Sequence, residues 1–347
     1  MPDLDPDATI NTRPPKGAGV VLPKPPSPKA SAINPLILVS GLAGLALLGG
    51  AAYMLLGPAA VGPAKEAARA VAPATLDKGR SAPIRTTLPH RTEAEILAQR
   101  VQAPQPVRFA TNPQILVIDY PDLRSQGMAF NRIAAFVEKA GLPRDRVLND
   151  QDLAAAIQSE NATTETYYYG HDYRLADIAR FYAAADAQKM VLSADEERLR
   201  AIIAESGLLN DGAEVAVISV PREGSDPFVD ASGRQSLLRH ELSHGEFFTV
   251  PAYAAFARRF WAEEMNESDR AAFRGFLVRQ GYDPKDEDLL INEMQAHLMH
   301  TTDMRYFNAR DCGLPRPRVD ALRALFADKM PDGWLRDAAR TALPALP

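Results

Sequence analysis

The chain has 347 residues with 39 basic and 44 acidic side chains and a net charge of −5, a balance without the basic surplus that nucleic-acid binding uses. Its single cysteine, Cys312, excludes an intramolecular disulfide. At 46% hydrophobic residues, the chain has the material for a substantial core in one domain or two closely packed subdomains.

Residues 1–34 are rich in Pro and Lys (RPPKGAGVVLPKPPSPKA) and predict a disordered tail, because such a composition cannot bury a core. Residues 35–57 (PLILVSGLAGLALLGGAAYMLLG) carry no charge. As a helix they are long enough to cross about 30 Å of hydrocarbon and predict a single transmembrane segment. A cleaved signal peptide is the competing reading. Small residues at 57–60 favour it; the polar tail ahead of the segment and the length of the apolar run oppose it. Lys16, Lys24 and Lys29 lie on one flank, Lys65 and Arg69 on the other. Positive-inside counting then puts the N-terminus in the cytoplasm and the rest of the chain outside. With the Ala- and Arg-rich composition, this predicts a bacterial inner-membrane protein with a periplasmic globular part. Residues 58–107 stay rich in Pro and Ala and predict a membrane-proximal linker with one helical piece over 91–101.

The globular part is expected from 108 to 347. Residues 114–119 (QILVID) and 214–220 (EVAVISV) are the clearest strands. Helical periodicity runs over 127–140, 152–160, 175–187 and 194–208. Beyond residue 232 the pattern is nearly all helical. Tyr253, Phe256, Ala257, Phe260 and Trp261 recur at helical spacing, as do Phe273, Phe276 and Leu277; Gly281 and Pro284 then interrupt. The expected fold class is α+β, mostly helical, with a small sheet.

His240-Glu241-Leu242-Ser243-His244 carries the chemistry. It is an HExxH pattern. On a helix, residues four apart lie on one face, so both imidazoles reach one metal ion and Glu241 reaches a water on it. Ser232 and Gln235 read as a capping box for this helix, with Asp230 adding negative charge near its start. Leu238 and Leu242 lie opposite the two histidines, which predicts one core face and one cleft face. Gly245 marks either close packing or a bend. Two histidines leave a catalytic zinc one ligand short. In residues 288–300, Leu290, Met294 and Leu298 form an apolar stripe, and Glu293, Ala296, His297 and His300 form an adjacent one. A carboxylate and two imidazoles on one stripe are costly against a core unless a metal cleft pairs them; a solvated polar face is the alternative.

HELSH followed by Asn292-Glu293 on a later helix resembles the gluzincin class of zinc metallopeptidases, over roughly residues 232–300. The resemblance implies a zincin-like domain with His240, His244 and Glu293 as zinc ligands and Glu241 as general base. The separation of His244 from Glu293 is longer than in the best-known members. Where some members carry an Asp four residues after the third ligand, this chain has His297, so His297 is either a supporting partner or the third ligand itself. The metzincin pattern is absent, since no third histidine follows in Gly245-Glu246-Phe247-Phe248-Thr249-Val250.

The expected function is therefore that of a membrane-anchored zinc peptidase. Its partners would be a peptide or protein substrate and, through residues 35–57, the membrane; no nucleic acid and no particular protein partner is indicated. His297, His300, Arg305, Tyr306, Tyr253 and the run Tyr167-Tyr168-Tyr169-Gly170-His171 are candidates to support the site or stabilise an oxyanion. The strand at 214–220 is either an edge for an extended peptide or an ordinary buried strand. The rival expectations are a zincin-like binding or scaffold protein without turnover, and a metal-dependent hydrolase of a non-peptide cell-envelope amide.

Overall fold

The two apolar runs that predict strands lie side by side inside a five-stranded mixed sheet. The computed structural model describes residues 88–208 and 214–340. The tail, the apolar segment 35–57 and most of the linker lie outside the described residues. Among the described residues, no helix is long and apolar enough to cross a membrane.

The strands are β1 (His90–Arg91), β2 (Gln105–Phe109), β3 (Ile115–Tyr120), β4 (His171–Arg174) and β5 (Ala216–Pro221), in the spatial order β1-β2-β3-β5-β4. β3 pairs parallel with β5, placing Val117 opposite Ile218, while β2 and β4 run antiparallel to their neighbours. β5 is therefore flanked on both sides, which excludes it as a peptide-binding edge; the edge beside it is β4. The fold also reaches back beyond residue 108. β1 pairs with β2, and the short helix α1 (Glu93–Leu97), capped by Thr92 and Glu95, follows it.

Alternation along the central strands feeds two cores. Leu116, Ile118, Tyr120 and Val217 face one side, where α2 (Leu123–Val137), α4 (Leu175–Ala187) and α5 (Ala194–Glu205) pack with Phe130, Ile133, Ile178, Phe181 and Leu199. Between α2 and α4 runs α3 (Asp150–Ser159). Ile115, Val117, Ile218 and Val220 face the other side and meet Leu238 and Leu242 of α6 (Ala231–Thr249). Gly245 allows that contact, because a Cβ there would fall 2.7 Å from the end of the Ile115 side chain.

Beyond α6 lies a helical layer with its own core, including Phe256, Phe260, Phe276, Leu290, Met294 and Phe326. It comprises α7 (Pro251–Arg259), α8 (Glu267–Arg279), α9 (Glu287–Gln295), α10 (Ala309–Cys312), α11 (Arg316–Lys329) and α12 (Trp334–Arg340). α7 and α9 each end in a π-helical turn, at Phe260–Glu264 and Ala296–His300. α6 is thus sandwiched between sheet and helices and buried around almost its whole circumference.

Local contacts fix α6 in place. Its N-cap is Asp230, whose side chain accepts from the Gly233 amide; the Ser232–Gln235 box does not form, and the Ser232 hydroxyl instead donates to Asp303. Arg234 makes a two-pronged pair with Asp119 at the end of β3, at 2.8 and 3.0 Å, and also donates to the Ile96 carbonyl. Arg239 pairs with Glu93 of α1 and donates to the Ala338 carbonyl of α12. The helix that carries HExxH is therefore held by both ends of the described chain.

Candidate metal centre

α6 brings His240, Glu241 and His244 to its side facing α9, and α9 with its π turn answers with Glu293 and His297. All five side chains are buried, none more than 2% exposed. The Nε2 atoms of His240 and His244 are 3.0 Å apart. The Glu293 carboxylate faces both, with Oε2 3.9 Å from His240 Nε2 and Oε1 3.7 Å from His244 Nε2. A Glu241 oxygen and a ring nitrogen of each α6 histidine all lie within 4.8 Å of one another, and His240, Glu293 and His297 satisfy the same limit.

The outer ring nitrogens also face polar groups. His240 Nδ1 is 2.7 Å from the Thr301 hydroxyl, and His244 Nδ1 is 3.6 Å from Asp172 Oδ2. At 3.6 Å this is a charge contact and not a hydrogen bond, and the negative charge of an ionised Asp172 favours a proton on the His244 nitrogen nearer to it. With that tautomer the His244 Nε2 lone pair points toward His240 and Glu293. The two Nε2 atoms are 3.0 Å apart, close enough to share a proton or to hold one cation between them. Two nitrogens at 2.0–2.1 Å from a tetrahedral zinc would be separated by about 3.3 Å, close to what is seen. These buried His and Glu groups could hold a metal ion.

Asp172 arises from strand alternation. On β4, His171 and Tyr173 point to the α2 side, and Asp172 and Arg174 to the α6 side, where Arg174 donates to the Phe248 carbonyl. His171 stacks on Phe130 at 4.9 Å, and Tyr173 donates to Glu138 at 3.3 Å. Just before β4, Gly170 lies against the Glu241 carboxylate. A cleft of about 120 Å³ opens beside the centre, lined among others by Glu138, Asp172, Phe247, Leu289 and Asn292.

The remaining sequence candidates are engaged in other contacts. The Tyr253 hydroxyl donates to Gln295 Oε1 at 2.6 Å and is 3.1 Å from His300 Nε2, so both belong to a buried network behind α6. Burial, with Arg239 and His244 nearby, pushes the His300 pKa down to about 3 and keeps it neutral. Tyr306 donates to the Phe228 carbonyl at 2.5 Å, near the start of α6. Arg305 pairs with Asp230 and Asp303 there. Of the tyrosine run, Tyr167 and Tyr168 carry the Lys139 ammonium over their rings at 4.5 and 4.6 Å. Tyr169 packs against Tyr306.

Three residues near the centre escape sequence reading: Asp172, Thr301 and Tyr282. Burial first, and then the carboxylates of Glu293, Glu138, Asp172 and Glu241, hold the Tyr282 hydroxyl well above its ordinary pKa. It is a neutral phenol in the field of the cluster. Asp172 stands in an unusually polar short strand, the only trace that sequence carries of it.

Comparison with protein-family models, curated proteins and solved structures gave no match. The geometry of the site is therefore what bears on function.

Proposed function

We propose that this chain is a zinc-dependent peptidase of the gluzincin type, anchored to a bacterial inner membrane through residues 35–57 with its globular part in the periplasm. One observation carries the reading. Two imidazole Nε2 atoms converge at 3.0 Å, a Glu293 carboxylate faces both, and the Glu of the HExxH motif stands beside them. His240, His244 and Glu293 would hold the ion. When bound, it supplies a Lewis acid and lowers the pKa of its water toward neutrality.

Glu241 accepts the proton of the water that attacks the peptide carbonyl and returns it to the leaving amine. Asp172 places a carboxylate 3.6 Å behind His244. β4, the strand that carries Asp172, is an edge of the sheet, so its outer backbone offers hydrogen bonds to an extended peptide lying toward the cleft.

A zincin-like binding or scaffold protein without turnover is the second reading. It draws on the depth of the centre, since every residue of the cluster is at most 2% exposed, and a closed site with His297 as a further ligand is what structural zinc prefers. Metal analysis combined with turnover of a peptide mixture by the full chain separates the two. About one zinc per chain with cleavage that Glu241→Gln abolishes supports the peptidase. Zinc without cleavage supports the scaffold. Less than about a tenth of an equivalent, even after zinc is added, removes both.

A further inference from the structure

α9 does not end as an ordinary helix. Its last turn, Ala296–His300, is π-helical, and the Thr301 amide bonds back to the Ala296 carbonyl at 2.9 Å. The Thr301 hydroxyl donates to that same carbonyl at 3.0 Å. In an uninterrupted α-helix, residues 293 and 301 would be about 80° apart around the axis. The extra residue of the π turn takes up that rotation and brings Thr301 to the side where Glu293 faces α6. π turns of this kind concentrate at functional sites.

A hydroxyl has one proton. With that proton directed at Ala296, Thr301 Oγ1 meets His240 Nδ1, 2.7 Å away, as an acceptor. Nδ1 must then carry the imidazole proton, and the Nε2 lone pair must face His244 and Glu293. Both residues are at most 3% exposed, so water does not compete for either group.

We propose that Thr301 is a positioning residue: through the π turn it fixes the tautomer and ring orientation of His240 and so makes that side chain a metal ligand. This rests on the zinc reading above. It also makes the two histidines unequal. His244 has the Asp172 carboxylate 3.6 Å from its outer nitrogen, and His240 has a neutral alcohol at 2.7 Å.

The test uses the full chain labelled with ¹⁵N-histidine, with Thr301→Val, which keeps the shape and removes the hydroxyl, and Thr301→Ser, which restores it. In the metal-free wild type, the His240 nitrogen resonances should show a protonated Nδ1. The serine variant should match it, and the valine variant should move toward protonation at Nε2. Zinc affinity by chelator competition should fall by about 10–100-fold in the valine variant and stay within a few-fold in the serine variant. A wild-type His240 protonated mainly at Nε2 overturns the proposal without any variant. So does a valine variant with unchanged tautomer and affinity, or a serine variant as weak as valine, which would point to packing alone. A wild type that binds no zinc but shows the predicted tautomer pattern would remove the metal reading and leave the Thr301–His240 coupling standing.

Discussion

The backbone of Gly170 runs directly against the carboxylate of Glu241: a Cβ at position 170 would lie 2.1 Å from Glu241 Oε1 and 2.6 Å from its Cδ. No side chain fits there while Glu241 keeps its place. Gly170→Ala should therefore displace Glu241 without touching His240, His244 or Glu293. The expected outcome is zinc content within a few-fold of wild type and peptide turnover lowered by about 10²–10⁴-fold, the usual cost of losing a general base. Turnover equal to wild type would show that this carboxylate is not the base.

This contact shows where sequence reading succeeds and where it stops. β3 and β5 are legible because they are apolar runs, and α4 because its apolar spacing is unbroken. β4 is missed because His-Asp-Tyr-Arg is too short and too polar to look like a strand. That strand positions Gly170 and Asp172. The HExxH pair is legible because local helical spacing puts both imidazoles on one face, and Glu293 because it shares a polar stripe with His297 and His300 and follows Asn292 as the gluzincin resemblance implies. Thr301 is not, because its position depends on a π turn, and its partner His240 is 61 residues away. The burial of α6 is hidden for a related reason. A polar helix face looks the same in sequence whether water or a second polar helix covers it.

Arg234 and Asp119 form a fully buried ion pair between α6 and β3, with side chains 1% and 0% exposed. Burial raises the Asp119 pKa, and the Arg234 guanidinium opposes that rise. Arg234→Met leaves the carboxylate in the core without its partner, and should destabilise by about 3–5 kcal/mol. Adding Asp119→Leu removes the stranded charge and should recover part of that loss. Urea unfolding of the two variants decides this. A double variant less stable than the single would show that Arg234 acts mainly through its bonds to the Ile96 and Pro221 carbonyls.

His300 sets an acid limit on stability. Its ordinary pKa is 6.5, and burial lowers it to about 3 in the folded chain. Between those values the unfolded chain binds a proton that the native state excludes, so stability present above pH 6.5 is lost as pH falls toward 3. By pH 4.5 this amounts to at most about 2.7 kcal/mol, at 1.36 kcal/mol per unit. His300→Gln retains a donor for Tyr253 but does not titrate. Metal-free protein unfolded in urea at pH 7.5 and 4.5 should show a smaller acid loss in the variant. Identical losses would mean that His300 charges without disrupting its contacts.

Glu293 and His297 lie one turn apart, and the proposed function gives them different tasks. The Glu293 carboxylate faces both Nε2 atoms, at 3.7 and 3.9 Å. His297 Nε2 is 3.5 Å from Glu293 Oε2, and its ring is set among Phe276, Phe307 and His240, with centroids 5.0, 5.5 and 4.8 Å away. Its ring thus backs Glu293 from an aromatic wall. A supporting residue of this kind typically costs about 10–100-fold in metal affinity when removed, and a ligand costs more. Glu293→Ala should therefore weaken zinc by well over about 100-fold, whereas His297→Ala should weaken it by about 10–100-fold and leave it bound. Chelator competition on both variants gives the order. If His297→Ala is the weaker binder, the third ligand is an imidazole, the centre is a three-histidine site, and the resemblance to gluzincins ends at the HExxH helix.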